Sequence, residues 1–395
     1  MFEVILKKKA DRAAERRHPW IFSGAVDQVV GGPQAGDVVR VMNAAGGFLA
    51  WGHFSPESQI RVRLLDWSPE ARIDLAWWAS RLKEAVARRS GLAGRADLTA
   101  WRVVFSESDL LPGLIVDNYA GFLVLQALTS GVDRLKSELA GLLAGLTGAR
   151  GVFERSDAEV RKMEGLNPEV GVLWGEAPGE SVEIMENGRR FLVDLRQGQK
   201  TGFFLDQRDN RAKTAEFAAG KTVLDCFAHS GAFSVYAAGA GAAAVDRVES
   251  SREAAALMDA NLKLNGFDNL PGETIIGDVF KMLRLFRDQG RTYDLIILDP
   301  PKFAPTKAQV PKAARGYKDI NLLAFKLLRP GGVLATFSCS QGVEPDLFQK
   351  IIFGAALDAG REAQIIARLT QGEDHPTRLS LPESEYLKGL ICRVI

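Results

Sequence analysis

The chain is poor in cysteine, with three residues, at positions 226, 339 and 392, among 395. Cysteines so placed match no zinc-ligand spacing and form no disulfide framework, so neither a metal centre nor a stapled secreted module is expected. No apolar run approaches the ~18 residues of a membrane-spanning helix. The opening stretch, Met1 to Lys9, lacks the long apolar core of a secretory signal. The expected location is therefore cytoplasmic, without a membrane partner, where thiols stay reduced. Internal repeats and low-complexity tracts are missing as well. Charge of one sign is also lacking: the formal net charge is +1, so the chain as a whole does not announce a nucleic-acid binder.

What remains is an ordinary globular composition, 46% hydrophobic and 25% charged. At this length two or three domains are expected. Residues 1–68 hold short strands between turn signals: Val38-Val39-Arg40-Val41 after Gly36-Asp37, Phe48 to Gly52 after Gly46-Gly47, and the alternating Gln59 to Leu64. Closely spaced strands in so short a segment suggest a small barrel. Residues 69–192 read as a central α+β domain, with helices over 72–89 and 133–146, strands near 114–116 and 122–125, and an Asn187-Gly188 hairpin signal. Residues 193–395 alternate strand and helix. Strands are expected at 222–225, 243–248, 274–278, 294–299 and 333–337, with helices at 232–240, 253–265 and 320–328. That alternation predicts an α/β, doubly wound, mostly parallel sheet.

In such sheets ligands bind beyond the carboxyl ends of the strands. Three acids stand at or near strand ends: Asp225, Asp278 and Asp299. The turn after Asp225 runs Cys226-Phe227-Ala228-His229-Ser230-Gly231 and offers one Gly, not the G-x-G-x-x-G on which a pyrophosphate lies. A cofactor without phosphates fits it better. Glu249 follows Asp225 by twenty-four residues, about the spacing at which an acid meets ribose hydroxyls; Asp246 is the alternative. S-adenosylmethionine has a ribose, an adenine and a charged amino-acid tail, matching Glu249, Asp278 and Asp225 in turn. Any one of these acids read alone is as well explained as a helix cap. Asp299-Pro300-Pro301-Lys302-Phe303 adds a stiff extended turn that presents Asp299 to a planar base, with Phe303 as a stacking surface.

Four segments in order, Thr201-Gly202-Phe203-Phe204-Leu205-Asp206-Gln207-Arg208, Asp299-Pro300-Pro301-Lys302-Phe303, Gly316-Tyr317-Lys318-Asp319-Ile320-Asn321 and Phe337-Ser338-Cys339-Ser340, carry a family resemblance. Together with Arg17-His18-Pro19-Trp20 near the start, Leu111-Pro112-Gly113-Leu114 in the middle, and Asp374-His375-Pro376 and Glu385-Tyr386-Leu387-Lys388-Gly389 near the end, they span nearly the whole chain. The chain resembles the bacterial 23S rRNA cytosine-C5 methyltransferases that join an N-terminal PUA domain to a class I, Rossmann-like methyltransferase domain. It departs from them at Glu249, where the family usually has Asp, and at Ala228-His229-Ser230-Gly231, where Tyr-Thr-Gly-Gly is commoner.

The resemblance implies S-adenosylmethionine as cofactor, held by Phe204, Gln207, Asp225, Phe227, Ser230, Gly231, Glu249, Ser250, Asp278, Val279, Asp299 and Pro300. It implies large-subunit rRNA or an assembly intermediate as partner, and a homodimer. Cys339 becomes the nucleophile that adds to C6 of the cytosine. Asp299 meets the N3/N4 edge, and Lys302 is the cation that favours the thiolate. A lone cysteine is by default a small buried hydrophobe, which suits Cys226 and Cys392. Cys339, between two serines after a Pro-Gly-Gly turn, suits it less. A paired base cannot reach such a pocket, so the target is unpaired or flipped out. Residues 280–330 carry eleven Lys and Arg against four Asp, so Lys302, Lys307, Arg315 and Lys318 are expected to meet phosphates. On the barrel, Lys8, Arg12, Arg17 and Trp20 are expected to recognise RNA shape and unpaired bases, though Trp20 reads equally as barrel core. Two alternatives stand beside this reading: an amino-group rRNA methyltransferase with Cys339 structural, and a non-catalytic RNA-binding assembly factor.

Overall fold

The computed structural model describes residues 2–304 and 306–395, without the side chain of Lys307. Its contacts divide the chain into two compact units. The first holds residues 1–185, 193–205 and 373–384, and the second 186–192, 206–372 and 385–395.

In the first unit, β1 (Glu3–Leu6), β2 (Trp20–Phe22), β3 (Val26–Val30), β4 (Val38–Met42), β5 (Phe48–Phe54) and β6 (Ile60–Asp66) form one sheet in the order β2-β6-β5-β4-β1-β3. The pairings are antiparallel except β1 with β4. Alternate residues Val39 and Val41, Val62 and Leu64 point into one core with Val4 and Leu6, the period-two burial that the sequence displayed. A second sheet follows, ordered β11-β10-β9-β8-β7, from β7 (Ala100–Phe105), β8 (Leu114–Tyr119), β9 (Phe122–Ala127), β10 (Gly151–Ser156) and β11 (Glu169–Gly175). Two long helices cover it, Leu75–Arg88 and Ser130–Thr147, through Trp78, Leu82, Ala85, Leu139 and Leu143. Asp117 in β8 is fully buried, takes a two-pronged pair from Arg102 (2.8 and 2.9 Å) and accepts the Thr201 hydroxyl at 2.6 Å.

The second unit is built on a seven-stranded sheet. Its strands are β12 (Thr222–Cys226), β13 (Ala244–Glu249), β14 (Thr274–Ile276), β15 (Tyr293–Leu298), β16 (Leu328–Ser338), β17 (Ala363–Leu369) and β18 (Lys388–Val394). They lie in the order β14-β13-β12-β15-β16-β18-β17. The first five are parallel, while β18 is antiparallel to both neighbours. The middle of the sheet is covered on both faces, so β15 and β16 carry continuous apolar runs, Leu295 to Leu298 and Val333 to Ala335, rather than an alternating pattern. Leu224, Ile296, Leu298, Leu334 and Leu390 enter the core on one face. Val223, Leu295, Ile297, Ala335 and Ile391 enter that on the other. The helices are α1 (Arg208–Ala215), α2 (Ala232–Gly239), α3 (Arg252–Leu264), α4 (Val279–Asp288), α5 (Val310–Leu327) and α6 (Pro345–Asp358).

This is the doubly wound α/β sheet expected, with differences in detail. The helix expected at 320–328 begins ten residues earlier, where Pro311 sits in its first turn, a position that needs no backbone N–H. Helices α1, α4 and α6 lie outside the expected helices. Asp278 caps α4 through the Lys281 N–H at 3.0 Å, and Val279, Leu283 and Phe286 form its buried stripe.

Beside the sheet, Arg211 of α1 pairs with Glu186 through two hydrogen bonds of 2.8 and 2.7 Å, and the Tyr236 hydroxyl donates to the same carboxylate at 3.0 Å. Arg211 and Glu186 are at most 2% exposed. Removing one charge from such a pair leaves the other uncompensated. Glu186→Gln is accordingly expected to cost about 3–5 kcal/mol in urea denaturation, whereas Lys213→Gln, on the exposed face of α1, stays within about 0.5 kcal/mol.

Candidate active site

Strand order reverses between β12 and β15, and the crevice beyond the carboxyl ends of these strands is where such sheets take ligands. Leu298, the last residue of β15, lies opposite Thr336 of β16. Asp299 and Cys339 therefore follow adjacent parallel strands at the same edge. They also share a face. Leu295 and Ile297 precede Asp299 at even spacing, and Val333, Ala335 and Phe337 precede Cys339; all belong to one core, against which the half-buried Cys339 also packs.

Asp225, near the end of β12, is 1% exposed and accepts the Ser234 hydroxyl at 2.6 Å. Burial pushes its carboxyl up to about 7, the Ser234 bond opposes that rise, and the charge of Asp299 adds to it. The two acids are thus close enough to feel each other. The turn after β12 is sharply bent, with Phe227, His229 and Gly231 at φ of 60°, 49° and 74°. A Cβ at Gly231 would also meet Met258 Cγ at 2.4 Å, so only glycine fits there. Ser230 is buried, and its carbonyl accepts from Asn261 at 2.9 Å.

Glu249 ends β13. One carboxylate oxygen accepts from the backbone N–H of Ser250 (2.7 Å) and Ser251 (2.9 Å), and the other from that of His229 (2.8 Å). It thereby ties the β12 turn to the start of α3. Asp246, the alternative acid, is committed elsewhere, accepting from the Tyr293 hydroxyl at 2.8 Å and the Glu273 N–H at 3.0 Å. Asp278 is exposed at the head of α4, Val279 behind it is buried and Ser250 is exposed. Gln207 is 2% exposed; its oxygen accepts from Asn210 at 2.6 Å, while its Nε2 has no partner among the described residues. A buried amide donor left over is costly unless a ligand takes it. That orphan donor, with a one-glycine turn, suits a phosphate-free cofactor rich in acceptors. Phe204 belongs to the first unit, half-buried, with Lys200 Nζ 4.5 Å from its ring centre.

The Asp-Pro-Pro turn leaves Pro300 buried, Asp299 half-buried and Lys302 exposed. Phe303 lies within an aromatic cluster, 4.7 Å from Tyr317, 5.8 Å from Phe280 and 6.4 Å from Phe227 between ring centres. The serines flanking Cys339 are fully buried. Ser338 donates to the Tyr317 hydroxyl at 2.9 Å, Tyr317 and Ser340 share a bond of 3.0 Å, and Ser340 accepts from the Ala304 N–H at 3.0 Å. This hydroxyl chain anchors the residues on each side of Cys339 and joins them to the Asp-Pro-Pro turn. Cys226 and Cys392 are buried thiols whose pKa burial raises, that of Cys392 to about 12. Their reading as inert core residues agrees with that.

Of the residues expected to meet RNA, Lys302 and Arg315 are exposed in the second unit, and Lys318 pairs with Asp358 at 2.7 Å. The side chain of Lys307 lies outside the described residues. In the first unit Lys8, Arg12 and Arg17 are exposed, with Arg17 over the Trp67 ring at 5.2 Å. Trp20 is half-buried, its indole N–H donating to Glu107 at 2.8 Å. Sequence reasoning passed over Ser234, Tyr317 and Lys388 as site residues, although Tyr317 and Lys388 stand inside segments that carried the resemblance. Three carboxylates, Asp133, Glu154 and Glu169, do converge in the first unit, but on the ammonium of Lys136.

A sheet reversing between β12 and β15, with acids at its carboxyl edge and a one-glycine turn after β12, defines an open α/β fold suited to a nucleoside cofactor. Residues 152–383 match the family model of S-adenosylmethionine-dependent methyltransferases, and residues 4–67 that of PUA-like domains; the chain belongs to the S-adenosylmethionine-dependent methyltransferase family. S-adenosylmethionine is its cofactor. Among curated relatives, proteins named ribosomal RNA large subunit methyltransferase I from Shewanella denitrificans and Tolumonas auensis are each 48% identical, with 99% of either chain covered. Among solved structures, a methyltransferase from Streptococcus mutans superposes with a TM-score of 0.86 at 23% identity. Another, crystallised with SAH, gives 0.88 at 24%. Both cover each chain completely and share the fold. The resemblance read from the sequence is borne out in its PUA-like domain and its methyltransferase domain.

Asp225 sets a pH dependence. Its folded pKa lies above its unfolded value, so the folded state holds the extra proton between about pH 4 and 7, and stability falls as pH rises through that window. The slope approaches ~1.4 kcal/mol per pH unit. Asp225→Asn keeps an acceptor for Ser234 and removes the titration. Its denaturation midpoint is expected to gain on that of the parent protein between pH 5 and pH 8; equal profiles would contradict the assignment.

Proposed function

We propose that the protein methylates C5 of a cytosine in large-subunit (23S) rRNA, in the cytoplasm, with Cys339 as covalent nucleophile. The names of the curated relatives support an rRNA substrate, and the PUA-like domain at residues 4–67 supports RNA binding. The observation that carries the reading is the placement of Asp299 and Cys339 beyond the aligned Leu298 and Thr336, on one edge and one face of the sheet. We read residues 1–68 as the RNA-binding barrel, 69–192 as the central domain and 193–395 as the methyltransferase domain.

S-adenosylmethionine supplies an electrophilic methyl group on its sulfonium. Gln207, Asp225, Glu249 and Asp278, with the backbone of the Phe227-to-Gly231 turn, are assigned to hold it; Glu249 is preferred to Asp246 because it ends β13 and its carboxylate meets the turn after β12 through the His229 N–H, whereas Asp246 lies three residues back in the strand. The Cys339 thiolate forms a bond to C6 of the flipped-out base. The electron pair of the C5–C6 double bond then makes C5 nucleophilic. Asp299 hydrogen-bonds the N3/N4 edge and supports the charge that builds there. Methylation of C5 would leave the cofactor as its neutral thioether; a base then takes the C5 proton, and the electron pair of that C–H bond re-forms the double bond and expels Cys339 as the thiolate. Exposed Lys302 and Arg315, and on the barrel Lys8, Arg12 and Arg17, are assigned to phosphates.

The test uses the full-length protein and 23S rRNA from a strain lacking the gene. Nucleoside mass spectrometry is expected to find 5-methylcytidine; methyl on an exocyclic amine would select the amino-group alternative. With RNA containing 5-fluorocytosine, elimination is blocked and a covalent adduct mapping to Cys339 is expected. Cys339→Ala is expected to lose the adduct and to lower turnover on the order of 10³-fold or more. Methylation undiminished in that variant would overturn the proposal.

A further inference from the structure

Lys388 occupies a place where a lysine is costly. It opens β18, pairs across the ladder with Ser338, and is 6% exposed. Its ammonium donates to the carbonyl oxygens of Ser340 and Tyr386, each at 2.8 Å. Two of three N–H donors are thereby fixed, which aims the charge and leaves one donor over. The neighbouring Gly389 has no side chain for a reason: a Cβ there would meet the Phe337 ring at 2.6 Å. The backbone at Lys388 thus lies tight against the strand that delivers Cys339.

Carbonyl dipoles alone compensate a buried ammonium poorly. Burial pulls its pKa down to about 8. Four charged or titratable groups act on it: Cys339 first, which favours the ammonium, then Glu385, then Lys302, which opposes it, and Glu344. The sulfur of Cys339 is therefore its foremost counter-charge, ahead of either carboxylate.

We propose that Lys388 is the cation that holds the Cys339 sulfur as a thiolate, acting as a positioning residue for the nucleophile. The assignment rests on the reading of Cys339 given above, and it moves the main part of a role expected of Lys302. Lys302 is exposed, where water and salt screen its charge; Lys388 acts from a buried site, where the same charge counts for more. Thiol and ammonium titrate as a pair: the thiolate–ammonium form spans the interval between the lowered thiol value and the loss of the ammonium proton, and above it the thiolate persists beside a neutral amine. No proton need pass from Cys339 at the moment of attack.

The experiment follows alkylation of Cys339 by iodoacetamide in the full-length protein from about pH 6 to about pH 9, quantified on its peptide by mass spectrometry. Cys226 and Cys392, both buried, are slow internal references. The parent protein is expected to react with a midpoint below the ~8.5 of a free thiol. Lys388→Met is expected to move that midpoint up by about one pH unit, cutting the thiolate near pH 7 about tenfold, and Lys388→Arg to restore it. A parent midpoint at or above the free-thiol value overturns the proposal without any variant. So does an unchanged profile in a Lys388→Met protein with the parent's circular dichroism spectrum. The 5-fluorocytosine adduct separates the two readings. An adduct at Cys339 with no Lys388-dependent shift sinks the lysine assignment alone. A Lys388-dependent shift with no adduct sinks the nucleophile and keeps the ion pair.

Discussion

The parallel ladder between β15 and β16 is the constraint from which the site follows. Its hydrogen bonds fix Leu298 against Thr336, and a slip of one residue would turn every side chain of one strand to the opposite face. Such a slip would carry Leu295 and Ile297 out of one core and Ile296 and Leu298 out of the other. Each fully buried aliphatic side chain contributes about 1.5–3 kcal/mol, so the register is held by far more energy than any one contact in the site. Asp299 and Cys339 inherit that rigidity, being the first residues past the ends of β15 and β16. The hydroxyl chain of Ser338, Tyr317 and Ser340 extends the rigidity one step further, to the turn at Ala304.

Charge is placed against this apolar frame in two ways. Glu186 and Arg211 neutralise each other with matched geometry. Asp225 and Lys388 are buried without a full partner of opposite sign, one held by a hydroxyl and the other by two carbonyls. Both are displaced toward neutrality, to about 7 and about 8. Groups left poised in that range respond to charge brought to them, whether on a ligand or on a neighbouring sulfur. Burial alone explains the direction of each shift, and the ladder explains why the burial cannot relax.

The sheet was legible in the sequence because parallel strands covered on both faces must be short, continuous apolar runs, and Leu295 to Leu298 is one. The strand-end acids were legible for the same reason, as the first polar residues after such runs. The helices α4 and α6 were hidden by their flanks. Asp278 drew attention as a strand-end acid, and its other reading, a helix cap, is the one that its bond to the Lys281 N–H shows, while Pro345 opens α6 rather than breaking it. Lys388 was quoted in a segment and given no role, because lysine is by default a surface residue. Only the tertiary fold buries it. The serines beside Cys339 were taken as a sign against a packing role, and they prove to be packed and bonded supports.

Glu249 illustrates how one carboxylate serves two ends. An Asp at this position would project from the strand with a short stem. The additional methylene of Glu lets the carboxylate fold back onto the N–H groups of Ser250 and Ser251 while its second oxygen reaches His229. Three backbone donors fix both oxygens before any ligand arrives, so little side-chain freedom remains to be lost on binding. A carboxylate offers about four acceptor positions, and the Ser250 hydroxyl, at 3.2 Å, adds a fourth donor to the three from the backbone. The Glu departs from the commoner Asp in chain length, and the helix start and the β12 turn absorb that difference by occupying the reach it gains.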